Sequence, residues 1–248
     1  MICYGLLQLM IVSDQPQGRR VAPGELLRFR CDPALPCFGR CCAGKRLGLY
    51  PYDLLRLRRA LGRPSAEVLA RHVLLEIDPA RGWPLFRLAL REDGRCPFVA
   101  GDGGCGIYAD RPTCCRIYPL ARAVDSQGRE IYLVEDAPSC AGWGGPRELS
   151  VDQWVADQEL AGYQAANNRM LRLLFHPSRR PAALAEQEIH AIVMGLYNLD
   201  VFRAAAAAPG FAVRHGLDPA RVAAAVTSDE ALLELGHDWV EAVLFGRG

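Results

Sequence analysis

The chain has 248 residues, half of them hydrophobic and 23% charged, which excludes a disordered, collagen-like or low-complexity polypeptide and allows one large domain or two modest ones. Twenty-nine basic residues against 28 acidic ones leave a net charge of +1, which excludes a global polycation of the kind that coats nucleic acid. What stands out is ten cysteines, unevenly placed, and a basic complement in which only Lys45 is lysine, a bias expected to reflect genome composition rather than function.

In chain order, residues 2–12 form an apolar run too short to span a bilayer. No Arg or Lys precedes it and no small-residue cleavage site follows, so a buried strand or short helix of a cytosolic protein is expected. Pro51–Leu61 reads as a helix stopped by Gly62, and Ser65 opens another through about Leu74. Residues 84–91 alternate like a strand that ends at the turn Glu92-Asp93-Gly94. Ala121–Val124 and Glu130–Val134 predict a hairpin joined across Asp125–Gly128.

Gly142, Gly144, Gly145 and Pro146 predict a linker or tight corner. Ser150 with Gln153 has the form of a capping box, opening a helix from about Val151 to Phe175. A second helix is expected at about 181–203, where Ile189, Ile192, Val193, Leu196 and Leu199 share one face. Asp218-Pro219 and Ser228 read as the caps of two more. The expected fold class is α+β. A small loop-rich cysteine-cluster region with short strands, residues 1–147, packs against a mainly helical C-terminal region, residues 148–248.

Cys3 apart, the cysteines fall into two clusters and an outlier. The first cluster, RCDPALPCFGRCC, carries Cys31, Cys37, Cys41 and Cys42; the second, RCPFVAGDGGCGIYADRPTCCRIYP, carries Cys96, Cys105, Cys114 and Cys115; Cys140 follows. In a reducing compartment such gathered cysteines argue for metal or redox chemistry rather than disulfides. Thiolates suit zinc and iron–sulfur centres, and bound metal adds folding free energy that a loop-rich region lacks. Cys3 reads as a small buried hydrophobe. In the pairs Cys41-Cys42 and Cys114-Cys115, extended backbone would point the two side chains oppositely, one toward a metal and one into the core.

The second cluster resembles the signature of the YkgJ-like cysteine-cluster family, a domain held to chelate zinc or iron. The residues that carry the resemblance are Cys96-Pro97-Phe98, Cys105-Gly106-Ile107-Tyr108 and Arg111-Pro112-Thr113-Cys114-Cys115-Arg116-Ile117-Tyr118-Pro119. Cys115 falls on the family's cysteine and Cys114 on a variable position. Cys140 before Gly142 resembles the family's late cysteine, and Tyr50-Pro51-Tyr52-Asp53 with Leu61-Gly62 its post-cluster helix. The first cluster departs from the family's C-x-x-C-x-x-C-C, having five residues between Cys31 and Cys37 and three between Cys37 and Cys41. That last gap also resembles the cysteine region of the flagellin lysine-N-methylases. The resemblance implies eight metal ligands: Cys31, Cys37, Cys41, Cys42, Cys96, Cys105, Cys115 and Cys140.

Eight thiolates exceed the four that one tetrahedral zinc or one four-iron cluster needs. No histidine lies in the cluster region, the nearest being His72, which argues against a mixed Cys/His zinc site and against His-based catalysis. Residues 19–59 hold ten basic side chains against Glu25, Asp32 and Asp53, cations that would stabilise an anionic thiolate centre. Interleaved aromatics are too sparse there for a nucleic-acid surface.

Cysteine excess without histidine favours an iron–sulfur cluster over zinc. The expected function is a cytosolic, metal-binding protein whose helical part serves as scaffold or as a surface for a protein partner. The alternatives are a cluster-dependent protein-modifying enzyme resembling the flagellin methylases, for which no methyl-donor motif is present, or a thiol redox sensor. No phosphate-binding glycine loop, serine-nucleophile elbow or HExxH helix occurs.

Overall fold

The computed structural model describes residues 18–79, 82–124, 129–134, 140–180 and 182–246. The apolar run 2–12, Cys3 and the hairpin turn 125–128 lie outside the described residues. In chain order the elements are β1 (Arg19–Arg20), β2 (Leu27–Phe29), α1 (Pro51–Leu61), α2 (Ser65–His72), β3 (Val73–Ile77) and β4 (Pro84–Leu88). They continue with α3 (Thr113–Ile117), β5 (Leu120–Val124), β6 (Glu130–Val134), β7 (Trp143–Leu149), α4 (Val151–Asp157) and α5 (Ala161–Leu174). The last are α6 (Glu186–Ile192), α7 (Leu199–Ala207), α8 (Phe211–Arg214), α9 (Pro219–Ala225) and α10 (Asp229–Phe245). Helices and small antiparallel sheets together make the α+β class expected from the sequence.

The elements gather into two compact units that interleave along the chain, one from residues 1–49 and 87–165, the other from 50–86 and 166–248. The composition shift near residue 145 gives no sign of this interleaving. Residues 50–86 carry ordinary amphipathic helices, so their apolar faces group them with the C-terminal helices although cysteine-rich segments flank them in sequence.

The first unit is built on a three-stranded sheet, order β1-β6-β5, with β5 and β6 in antiparallel register from Leu120↔Val134 to Val124↔Glu130. Ala123, Ile131 and Leu133 pack on one of its faces. A second pairing joins β2 to β7, Leu27 opposite Leu149 and Phe29 opposite Trp143. Gly144, Gly145 and Pro146, expected with Gly142 to form a linker or tight corner, therefore lie in a strand, and Gly142 is in the turn just before it. Gly142 is a packing requirement, since a Cβ there would lie 2.5 Å from the Arg30 carbonyl and 2.8 Å from the Phe29 ring. Gly144, at φ 76°, supplies the irregularity in that strand.

The capping box forms as expected. The Gln153 N–H donates to Ser150 Oγ at 3.2 Å, and the Ser150 N–H donates to Gln153 Oε1 at 2.9 Å. The single long helix expected beyond it is broken between α4 and α5, where Glu159 takes φ 52°. The cause is tertiary. Arg116 donates to the Gln158 carbonyl at 2.7 Å and Arg111 donates to the Gln158 side chain, so the helix terminates where two arginines claim its acceptors.

In the second unit α1 and its stop at Gly62, φ 58°, match the sequence reading. Leu54, Leu55 and Leu57 are buried, and fully buried Asp53 accepts the Tyr50 N–H at 2.9 Å. Arg58 ties this helix to its neighbours, donating to Asp200 at 3.0 Å and to Asp229 at 2.7 Å. The β-branched Val73 turns the end of the expected second helix into β3, which pairs with β4.

The helix expected over 181–203 is divided into α6, a π turn at Val193–Tyr197 and α7, with Asn198 at φ −105° and ψ 67° between the last two. Ile192, Leu196 and Leu199 still face the interior. Close backbone packing explains the distortion, because a Cβ on Gly236 of α10 would lie 2.0 Å from the Gly195 carbonyl. Asp218 and Ser228 cap α9 and α10 as expected, accepting the N–H groups of Ala220 and Ala231.

Candidate metal centre

All eight implied ligands lie in the first unit, and both sequence clusters reach one cavity of about 340 Å³. Cys31, Cys41 and Cys42 from the first cluster and Cys96, Cys105, Cys114 and Cys115 from the second line its wall. Cys37 and Cys140 are not in that wall but lie together beside it, where Cys37 Sγ accepts the Ala141 N–H at 3.2 Å. The nine described cysteines are free thiols.

Local backbone structure explains how loops bring these sulfurs together. The Arg30 N–H donates to the Gly142 carbonyl at 3.0 Å, extending the β2–β7 pairing so that Cys31 arrives beside Cys140. A turn closed by the Arg40 N–H on the Cys37 carbonyl, 3.0 Å, leads into a short 3₁₀ segment Arg40–Cys42. From there the chain crosses to the second cluster. The Cys96 N–H donates to the Cys42 carbonyl at 2.7 Å, and Ala43 bridges Arg95. Cys105 folds back through a bridge to Val99, with the Gly106 N–H on the Phe98 carbonyl at 2.8 Å. Gly39 at φ 74° holds the two loops in contact, since a Cβ there would lie 2.6 Å from the Gly103 carbonyl.

Neither cysteine pair is on extended backbone. Cys41-Cys42 is in the 3₁₀ segment and Cys114-Cys115 is on α3, so the expected opposition of alternate side chains is replaced by helical divergence. Cys114 is the buried member of its pair and its S–H donates to the Gly48 carbonyl at 3.5 Å. Cys115, more open, acts electrostatically on Cys42, Cys96 and Cys105. The two sulfurs are 4.0 Å apart.

The environment keeps several thiols protonated in the absence of metal. Burial, reinforced by the neighbouring Cys41, Cys140 and Cys37, pushes Cys31 up to about 11. Burial also pushes Cys96 up to about 11 and raises Cys105. Cys42 is driven far up, first by its hydrogen bond with Cys41 and then by burial. Such a set needs a cation to become anionic, which is what a metal supplies. Among the described residues no three Cys, His, Asp or Glu side chains already form a coordination shell. The thiols share a cavity without forming a shell.

The cavity wall also carries residues that sequence reasoning did not assign to the site. Arg111 reaches it with its guanidinium 3.8 Å above the Tyr108 ring and donating to the Tyr108 carbonyl at 2.6 Å. Burial pushes Arg111 below its ordinary value, while the Cys115 and Cys105 thiols act the other way. Buried Lys45, the only lysine of the chain, lines the cavity 5.8 Å from the Tyr118 ring centroid. Its singularity in the composition was the available signal. Arg116 is 3% exposed and donates to the Ala109 carbonyl as well as to Gln158; it positions α3, and with it Cys115. Trp154 Nε1 donates to the Ile117 carbonyl at 2.9 Å, fixing the same helix from the other side.

No histidine lines the cavity. No helix among the described residues is long and apolar enough to cross a membrane. Residues 30–141 match the profile of the family called CxxCxxCC, whose description reads "putative zinc- or iron-chelating domain". No curated protein and no solved structure matches the chain.

Proposed function

From the match of residues 30–141 to the profile of the CxxCxxCC family, we propose that the protein holds an iron–sulfur cluster in its cysteine unit. The observation that carries the reading is one cavity walled by thiols of both sequence clusters, without histidine and with Lys45 and Arg111 among its cations. The donor set consists of Cys31, Cys37, Cys41, Cys42, Cys96, Cys105, Cys115 and Cys140. An all-thiol set suits iron–sulfur clusters and zinc alike, and the surplus over four favours the cluster. When bound, an iron–sulfur cluster supplies one-electron chemistry, whereas zinc supplies a redox-inert cross-link.

The chain's own part is to shape and charge the site. Arg111 and Lys45 offset thiolate charge, Arg116 and Trp154 hold α3 in place, and the glycine contacts at 39 and 142 let the cysteine loops approach. Thiols kept reduced and ready for metal fit a cytoplasmic protein. Anaerobic purification followed by metal analysis and a visible absorption spectrum tests the reading. A coloured, iron- and sulfide-containing protein is expected. A colourless protein carrying zinc would make it a zinc centre, and a metal-free folded protein would refute metal binding altogether.

A further inference from the structure

We infer that the outer edge of β3 pairs with the same edge of a second copy of this chain, joining two copies about a twofold axis through one continuous antiparallel sheet. β3 is paired on one side only, since its sheet consists of β3 and β4. Among the described residues nine large hydrophobic side chains are exposed, and three of them fall within this one strand: Leu74 at 47%, Leu75 at 48% and Ile77 at 45%. An apolar strand with an open edge offers both main-chain hydrogen bonds and apolar contact to another strand. β3 carries no cysteine, so the inference is independent of what the cysteine unit binds.

Hydrogen bonds at the end of the strand fix which groups face that edge. The Asp78 N–H donates to the Trp83 carbonyl at 2.8 Å, and the Gly82 N–H donates to the Asp78 carbonyl at 2.7 Å, so the main chain of Asp78 faces β4. Main-chain groups alternate along a strand. Those of Glu76 and Leu74 therefore face β4 as well, and those of Leu75 and Ile77 face outward. The Val73 carbonyl also faces outward, whereas its N–H already donates to the Leu69 carbonyl at the end of α2. In an antiparallel pairing centred on Leu75, the two Leu75 residues exchange hydrogen bonds and each Ile77 N–H donates to the Val73 carbonyl of the other copy. Centring on Glu76 would set two carboxylates opposite each other, and centring on Leu74 would lose the Ile77 bonds.

Charge complementarity selects a second copy as the occupant. Arg71 and His72 lead into the strand, and Glu76 and Asp78 close it. Antiparallel pairing with an identical strand sets the basic start of one copy against the acidic end of the other, with Glu76 diagonally across from His72. Val73, Leu75 and Ile77 share a face, and in this register that face is apolar in both copies. The far edge of β4 is occupied, Arg87 bridging Gly48 and the Leu88 N–H donating to the Leu47 carbonyl at 2.8 Å. Association therefore stops at two copies instead of growing into a fibre. A contact confined to one five-residue strand and its flanks belongs to the small end of specific interfaces, so a weak, concentration-dependent dimer is expected.

Sedimentation of the full-length, reduced chain across a concentration series tests this, together with amide exchange read by nuclear magnetic resonance. The wild-type chain is expected to pass from monomer to dimer as concentration rises. The Leu75 and Ile77 amides should become protected in step, while those of Leu74 and Glu76, bonded to β4 in the monomer, change little. Leu75→Lys sets like charges opposite each other at the twofold axis, and Ile77→Pro removes an outward N–H without touching the β4 ladder. Each is expected to keep the far-ultraviolet dichroism and to weaken dimerisation by roughly tenfold or more. A chain that stays monomeric up to about 1 mM, or a dimer that neither substitution weakens, would overturn the inference. So would a dimer whose Leu75 and Ile77 amides exchange as fast as in the monomer, which would place the contact elsewhere. Should either variant fail to fold, the wild-type exchange pattern still decides.

Discussion

The helical unit fills its interior with Leu54, Leu57, Phe86, Leu196, Phe202 and Leu235, each nearly or fully buried, and stacks Phe86 on Tyr197 at 3.5 Å between ring centroids. The cysteine unit, with a comparable length of chain, surrounds about 340 Å³ of cavity with thiols, an aromatic edge and cations. Its connections run through turns and isolated bridges rather than long elements. One unit is therefore stabilised by close packing, in which dispersion and burial act everywhere at once. The other leaves open the place where a ligand can add what packing does not. Chains that carry both kinds of unit should show two separable responses to perturbation.

The largest test of that contrast is metal removal. Structural metal in small thiolate sites is worth on the order of 10 kcal/mol, so a strong chelator is expected to abolish hydrogen-exchange protection in β2, β7 and residues 94–117. Protection in α1 and α10 should persist. Equal loss in both units would show that the helical unit has no stability of its own. The converse perturbation is Phe202→Ala. Truncating a fully buried phenylalanine is expected to cost about 3–5 kcal/mol, read as a lower thermal midpoint for the helical unit, with metal content per chain unchanged. Loss of metal from that variant would mean that the two units fold as one.

The same contrast governs what the sequence discloses. Caps and stops are local, so Gly62, Ser150, Asp218 and Ser228 announce their helices and the structure bears them out. Sites of tertiary competition are not local. Nothing around Gln158 signals that Arg116 and Arg111, more than forty residues away, take its acceptors and break the helix. Likewise Gly142 and Gly145 read as a corner until Arg30 is seen against them. The candidate site shows both kinds of feature. Cysteine spacing and the Arg-Pro-Thr-Cys-Cys-Arg segment make the chemistry legible, whereas the meeting of Cys37 with Ala141 and of Cys42 with Cys96 depends on chain crossings that no spacing encodes.

A smaller and reversible effect is expected from pH. His237 is 4% exposed within α10, and its Nδ1 has no hydrogen-bond partner among the described residues. Burial, aided by Arg169 and Arg172, lowers its pKa from the ordinary 6.5 to about 3. A base depressed on folding binds its proton more readily in the unfolded chain, so the stability it contributes is present above pH 6.5 and is lost as pH falls toward 3. By pH 5 the loss amounts to about 2 kcal/mol. Denaturant titration of the helical unit between pH 7 and pH 4 reads it, and His237→Leu should flatten the slope. An unchanged slope in that variant would place the titrating group elsewhere.

The smallest effect separates neighbours in the cysteine unit. Cys114→Ala removes one buried S–H and its bond to the Gly48 carbonyl, and is expected to cost about 1 kcal/mol with metal content unaltered. Cys115 is one position along the same turn of α3, yet its sulfur is the one that acts on Cys42, Cys96 and Cys105. On the proposed function its removal is expected to leave a coordination shell incomplete. On that reading the pair therefore compares, within a single helical turn, a cysteine expected to work by packing with one expected to work by binding. Metal analysis and thermal midpoints on Cys114→Ala and Cys115→Ala read the two properties side by side. Equal metal loss from both would mean that the two sulfurs, 4.0 Å apart, engage the same centre, and that a thiol held against a backbone carbonyl in the free protein turns toward metal when metal binds.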